Sequence, residues 1–448
     1  MSLEELGQKI DRHEAVVGVI GLGYVGLPVA CAFADAGFRV IGVDLKADRI
    51  EHLNAGRSPI DGREPGLAEL LAGVVGAGRL TATTEYAALT QADVILISVE
   101  TPVDKEHRPQ YLALKAVCRS LGVVLKPGVL IIVESTIAPG TMDRIVRPLL
   151  EKASGKRVNV DFYLGACPER VMPGRLLANL RSLSRVCGGS TPATAAVMMR
   201  FYRSVVQGEL DATDCVTAET VKTAENAYRD VNIAFANELA LVCEATGGDF
   251  LKVRELVNKS PGRNVLLAGG GVGGHCIPKD PWLLAYGVDD RVPLRMITAS
   301  RAVNDRMPRH VMDLVAQALH EAGGDLAGAR VAVLGYAYLE DSDDTRNSPS
   351  AVLVEHLAEA GAEVVIHDPW VPGYGGELLE RVAGCDAAVI MVAHSAYKNL
   401  DLVGLRQTLR QPVLVDARRV IDPGQACAAG LTYLAVGYGR KSSEAGRA

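Results

Sequence analysis

The sequence predicts an α/β protein, two doubly wound halves joined by a central helical domain with one long helix, and three observations carry that reading. Residues 16–44, VVGVIGLGYVGLPVACAFADAGFRVIGVD, read as a buried strand, a glycine turn, a helix of small and apolar residues, and a second strand closed by an acid. Residues 330–370, RVAVLGYAYLEDSDDTRNSPSAVLVEHLAEAGAEVVIHDPW, repeat that order, again with an acid after the second strand. Between them, residues 213–246 run without Gly or Pro and place apolar residues at helical spacing.

The elements follow in order. After the first βαβ unit, apolar runs at 94–99 and 129–133 are each followed by a polar or Pro/Gly-containing turn and helical text, continuing a parallel sheet to about residue 210. The long helix comes next, then the glycine-rich segment AGGGVGGHCIPKDPW at 268–282, and helical text resumes over 307–323. The second half deepens the echo, for ADVILISV at 92–99 has its counterpart in CDAAVIMV at 385–392. The expected domains are 1–212, 213–322 and 323–440, with a disordered tail at 441–448.

Composition narrows the class. At 448 residues, 48% hydrophobic and 22% charged, the chain has material for two or three cores. A net charge of −6 gives no overall attraction for nucleic acid or an anionic membrane, so an anionic ligand must be held by local groups. The start, MSLEELGQKIDRHE, is charged and lacks an apolar core, and the longest apolar runs are strand-sized, so the protein is expected to be soluble and cytoplasmic. Nine cysteines without a CxxC pair argue against a disulfide framework, a zinc cluster or any other metal site.

Gly21, Gly23 and Gly26 form GxGxxG between strand and helix: the first permits the tight turn, the second lets a pyrophosphate approach the backbone, and the third lets helix and strand pack closely. Asp44 closes the next strand, where a carboxylate accepts from both ribose hydroxyls and repels a 2′-phosphate, which selects NAD over NADP even with Lys46 and Arg49 nearby. The second half lacks the third glycine, which leaves two readings in place of a second dinucleotide site: a mononucleotide at its strand ends, or a purely structural duplicate. Most cysteines are inert and buried, but Cys276 lies among glycines and beside Lys279 and Asp280, where a substrate carbonyl can come close and a cation favours the thiolate. Lys222 and Asn226, four apart, share a helix face and can both donate to an oxyanion, although on spacing alone solvated helix polarity is the commoner explanation.

Together, GLGYVGLP (21–28), SVETPVD (98–104), ESTIAPGT (134–141), CPERVMPG (167–174), AETVKTAENAYRDVNIAFANELA (218–240), GVGGHCIPKDPW (271–282) and DDTRNSP (343–349) resemble the UDP-glucose/GDP-mannose dehydrogenase family over nearly the whole chain. The resemblance implies an NAD-binding Rossmann domain, a central helical domain that makes a homodimer, and a Rossmann-like domain that binds a UDP-sugar. It implies catalytic roles for Cys276, Lys222, Asn226, Asp280, Glu169 and Thr136. Cofactor contacts fall on Gly21, Gly23, Tyr24, Val25, Gly26, Asp44, Arg49, Thr101 and Thr136. Substrate contacts fall on Glu169, Arg170, Val171, Lys222, Asn226, Arg229, Asn232, Gly273, His275, Tyr336 and Arg346, with Arg263 reaching a neighbouring subunit.

The implied reaction is a four-electron oxidation of the sugar's C6 alcohol to a uronate for surface polysaccharide, retained through a thiohemiacetal and a thioester on Cys276. Arg229, Asn232 and His275 resemble the acetamido-sugar branch, with UDP-N-acetyl-D-mannosamine or UDP-N-acetyl-D-glucosamine as substrate and UDP-glucose or GDP-mannose as alternatives. A buried acetamido group needs a donor and an acceptor, which these residues can supply. One departure stands out: Leu339 and Glu340 follow the second aromatic of Gly335–Tyr338, where the family shows a lysine near the nucleotide. A catalytically silent NAD-binding protein and a two-electron hydroxyacid dehydrogenase are the rival readings, and NADH formed per substrate (zero, one or two) separates the three.

Overall fold

The structure, a computed structural model, describes residues 1–60, 64–172, 174–288 and 291–439. The tail expected to be disordered, 441–448, lies outside the described residues. The chain forms two compact units, Met1–Glu225 with Lys279–Val292, and Asn226–Pro278 with Pro293–Ala448.

The first unit is built on eight strands: β1 (Val16–Ile20), β2 (Arg39–Val43), β3 (Leu80–Thr83), β4 (Val94–Ile97), β5 (Leu130–Val133), β6 (Tyr163–Ala166), β7 (Arg185–Gly189) and β8 (Leu210–Asp214). Their order is β3-β2-β1-β4-β5-β6-β7-β8, parallel throughout except at the β6–β7 pair. The strands read as continuous apolar runs because both faces are covered. Val17, Val19, Leu96 and Ile132 enter one core, while Ile20, Ile95, Ile97 and Ile131 enter the other. Strand order reverses between β1 and β4, and that reversal opens a crevice at the carboxyl ends of the strands, beside the glycine turn.

The amino-terminal segment, read from sequence only as charged, forms helix Leu3–Asp11, closed by a capping box between Ser2 and Glu5, with Leu6 and Ile10 buried.

The second unit carries β9 (Arg330–Leu334), β10 (Glu363–His367), β11 (Ala387–Ile390), β12 (Val413–Asp416) and β13 (Thr432–Ala435), all parallel in the order β10-β9-β11-β12-β13. It too has two cores, one holding Val331, Val333 and Val389 and the other Ala332, Leu334 and Ile390. The long helix is Cys215–Thr246. A buried polar chain ties it to helix Arg295–Glu321: Arg301 pairs with Asp230 at 2.6 Å, Asn304 donates to Asp230 at 2.8 Å, and Asn237 donates to Asn304 at 2.9 Å. That second helix begins at Arg295, not at the 307 read from sequence, because Pro308 sits inside the helix instead of opening it.

Candidate active site

In the first unit the three glycines of the turn play different parts. Gly21 has φ +88°, and a Cβ there would collide with the Ser98 carbonyl; one at Gly26 would collide with the Gly21 carbonyl. A Cβ at Gly23 would meet only Arg49 Nη1, at 3.9 Å, so the fold itself leaves that position open. Helix Gly26–Asp35 starts just beyond, with no side-chain cap on its first amides. Asp44 lies at the end of β2 and accepts from the Leu22 amide at 2.9 Å, the Lys46 amide at 3.0 Å and Arg49 Nη1 at 2.9 Å. An open glycine, uncapped helix amides and an acid after β2 fit a dinucleotide. Val25 is half-buried at the helix start, and the Tyr24 hydroxyl donates to Glu64, which also accepts from the Gly174 amide at 2.6 Å.

The strand ends of the same unit bring further expected residues together. Thr101 Oγ1 donates to the Thr136 carbonyl at 2.6 Å. Glu169, buried beyond β6, accepts from its neighbour's amide (Arg170 N) at 2.6 Å and from the Arg185 guanidinium. Arg185 also reaches Glu134 at 3.3 Å, which accepts from Tyr202 at 2.8 Å and Ser98 at 3.0 Å. Burial raises the Glu134 carboxyl above its usual range against the pull of Arg185. Burial alone would lower the Arg185 guanidinium, but Glu169, Cys167 and Glu134 together raise it.

Arg170 and Val171 are placed by contacts within the protein. The Arg170 side chain is engaged by Glu225 and by the Ser184 carbonyl at 2.7 Å, and Val171 packs on the first core. Asp280 opens helix Asp280–Val288 and pairs with Lys279 at 2.6 Å. Lys222 is half-buried on the long helix and makes no ion pair among the described residues. On the same helix Glu219 accepts from the amides of Gly140 at 2.6 Å and Met142 at 2.7 Å, clamping the turn that follows Thr136. Burial pushes its carboxyl up to about 7.

In the second unit the glycine segment is tightly packed. A Cβ at Gly273 would lie 2.5 Å from Tyr338 Cβ, and one at Gly274, where φ is +87°, 2.8 Å from the Tyr338 ring. The Gly274 amide donates to the Arg346 carbonyl at 2.9 Å, and Asn347 donates to the Gly274 carbonyl at 3.1 Å. Two residues further on, the Cys276 thiol is exposed. A cavity of about 290 Å³ lies at the carboxyl end of the sheet, lined by Gly270, Gly271, Tyr338, Leu339, Glu340, Arg229 and Arg418 among others.

Arg229 is among the residues that line this cavity. Tyr336 does not line it: its ring packs edge-on against Tyr374. Asn232 donates to the Tyr228 carbonyl, Arg263 is exposed and donates to the Pro261 carbonyl, and the Arg346 side chain pairs with Asp344 at 2.5 Å. Asn226 and His275 are half-buried.

Sequence reasoning did not single out Arg418, which also lines the cavity and pairs there with Glu340 at 3.8 Å. Its signal was an Asp-Ala-Arg-Arg turn directly after an apolar strand. It also missed Arg185, the single charge opening the buried strand β7.

The family comparison covers both units. The UDP-glucose/GDP-mannose dehydrogenase family's NAD binding domain matches residues 15–206, its central domain 216–306 and its UDP binding domain 332–423. The UDP-N-acetyl-D-mannosamine dehydrogenase of Pyrococcus horikoshii is 39% identical over 405 residues, 90% of this chain and 96% of that one. A solved structure of the UDP-D-ManNAc dehydrogenase from Pyrococcus horikoshii superposes with a TM-score of 0.90 at 37% identity, covering 95% of this chain and 100% of that one. The NDP-N-acetyl-D-galactosaminuronic acid dehydrogenase of Methanosarcina mazei gives 0.87 at 38% identity, covering 98% of each chain. A UDP-glucose dehydrogenase from Pyrobaculum islandicum gives 0.82 at 31%, covering 95% of this chain and 98% of that one. With a glycine turn that fits a dinucleotide in one unit, an arginine-lined cavity and an exposed thiol in the other, and all three family domains in order, the chain belongs to the UDP-glucose/GDP-mannose dehydrogenase family and is an NAD-dependent nucleotide-sugar dehydrogenase.

Proposed function

We propose that the chain oxidises C6 of a UDP-N-acetylhexosamine, UDP-N-acetyl-D-mannosamine foremost, from the alcohol to the carboxylate. The observation that carries this is the exposed Cys276 thiol at the end of a glycine segment packed on the wall of a cavity holding Arg229 and Arg418. NAD, when bound, accepts a hydride in each of the two oxidations. It is held by Gly21, Gly23, Tyr24, Val25, Gly26, Asp44, Arg49, Thr101 and Thr136.

The chain's own groups do the rest. Cys276 Sγ adds to the C6 aldehyde as a thiohemiacetal, so the aldehyde is retained, and after the second oxidation the resulting thioester is cleaved by water. Lys222 and Asn226 donate to the alkoxide and oxyanion forms, Asp280 positions or activates water, and Glu169 assists hydrolysis. Regions 1–212, 213–322 and 323–440 serve cofactor, thiol with dimerisation, and UDP-sugar respectively. A homodimer through the long helix is supported by Tyr228, Phe235 and Val242, large apolar side chains spaced by seven residues along the helix and 72%, 55% and 54% exposed. We place the enzyme in the cytoplasm, where its scattered thiols stay reduced.

The test is a panel of UDP- and GDP-sugars with mass analysis of the product and NADH counted per substrate. A UDP-N-acetylhexosamine should be preferred by about one to three orders of magnitude in kcat/KM, because buried amide partners are left unpaired by a 2-hydroxyl. Two NADH should form per uronate in the wild type, and none of this four-electron product in Cys276→Ser. UDP-glucose or GDP-mannose performing as well would overturn the substrate and spare the mechanism. A Cys276→Ser enzyme still making uronate at near wild-type rate would overturn the thioester.

A further inference from the structure

The acids that close the second strand of each half are used differently. Asp44 accepts from the Leu22 amide of the glycine turn and the Lys46 amide and is paired with the half-buried Arg49. Its counterpart Asp368 is wholly buried: Oδ2 accepts from the amides of Tyr336 at 2.6 Å and Ala337 at 2.9 Å, Oδ1 from those of Trp370 at 2.8 Å and Val371 at 3.2 Å. Burial would raise this carboxyl, but His394 and the amides hold it well below the usual carboxylate range.

His394, just beyond β11, has no exposed surface. Its Nδ1 receives the Asp341 amide at 2.9 Å and must therefore present a lone pair, which leaves Nε2 to donate to Asp368 Oδ2 at 3.1 Å. Asp341 has φ +51°, a left-handed conformation costly for a non-glycine residue, and Oδ1 accepts from the Ser395 amide at 2.9 Å and its hydroxyl at 3.0 Å. One imidazole thus bridges both ends of the loop 336–341. That loop presents Tyr338, Leu339 and Glu340 to the cavity.

We infer that His394 is a positioning residue for the nucleotide sugar: its ring fixes the loop that forms one wall of the cavity while touching no substrate itself. The inference rests on the reading that this cavity takes the UDP portion.

The test uses the full-length enzyme and compares wild type with His394→Phe, which keeps ring volume and loses both hydrogen bonds, and His394→Gln, which restores a donor and an acceptor. Calorimetry with UDP alone and steady-state kinetics on the turned-over nucleotide sugar are read together. His394→Phe should weaken UDP binding and raise KM for the nucleotide sugar about tenfold, with kcat within a few-fold and NAD affinity unchanged, and His394→Gln should recover part of the loss. Wild type that fails to bind UDP would overturn the reading of the cavity. UDP binding in His394→Phe within twofold of a UDP-binding wild type, or kcat and NAD affinity falling alongside it, would overturn the role of His394. Should His394→Phe not fold, hydrogen exchange on ligand-free wild type decides: the Tyr336, Ala337 and Asp341 amides must be protected, and rapid exchange there sinks the inference.

Discussion

Gly23 differs from its two neighbours in the turn because the protein leaves space around it that it does not fill. A Cβ there meets no backbone within 4 Å, so Gly23→Val should fold with stability changed by less than about 1 kcal/mol. The same branched side chain occupies the approach of the pyrophosphate and should cost at least about a hundredfold in NAD affinity, measured by titration of tryptophan fluorescence or calorimetry. Unaltered NAD binding in a folded Gly23→Val would remove that residue from the site. At this scale the sequence was legible where backbone packing imposes a local spacing, as with Gly21, whose φ is positive, and Gly26, where a Cβ would strike the Gly21 carbonyl. It was silent on Arg185 and Glu134, which are 51 residues apart in the chain and meet only because β5 and β7 lie in one sheet.

Whole elements were legible in proportion to their periodicity. The strands and the long helix followed from apolar runs and the lack of Gly and Pro, whereas helix Leu3–Asp11 escaped notice although Ser2 and Glu5 already formed a capping-box pair in the text. The long helix also carries Glu219, and its raised carboxyl sets a pH signature. The fold favours the protonated form, so the native state holds this proton more tightly than the unfolded chain. Its stabilising contribution is complete below the unfolded carboxylate range and is lost as the pH rises through about 7. The stability advantage of wild type over Glu219→Gln, from thermal melts at pH 5 to 8, should therefore shrink with rising pH, by on the order of 3 kcal/mol at most. An advantage that grows with pH would mean that the amide hydrogen bonds to Gly140 and Met142 outweigh burial.

At the scale of the whole molecule, the stripe of Tyr228, Phe235 and Val242 is worth twice its area when two copies meet about a two-fold axis, since each copy buries the other's. Removing one large apolar side chain from such a contact costs about 2–3 kcal/mol per copy, and a charge in its place adds desolvation. Phe235→Asp should therefore shift the mass in light scattering to that of a single 47.5 kDa chain at micromolar concentration. A variant that keeps the wild-type mass would place the subunit contact elsewhere.

The close seating of Gly273 and Gly274 on Tyr338 makes the thiol a built-in reporter. Gly274, two residues before Cys276, is bonded to Arg346 and Asn347 and packs on Tyr338 in a wall of the cavity, so an occupant of the cavity should alter the thiol's surroundings without touching it. Alkylation of Cys276 by iodoacetamide should change in rate severalfold when UDP is added, while Cys427, the other exposed thiol among the described residues, keeps its rate and serves as the internal standard. Nucleotide occupancy can then be followed by mass spectrometry of two peptides, without cofactor, turnover or an optical signal.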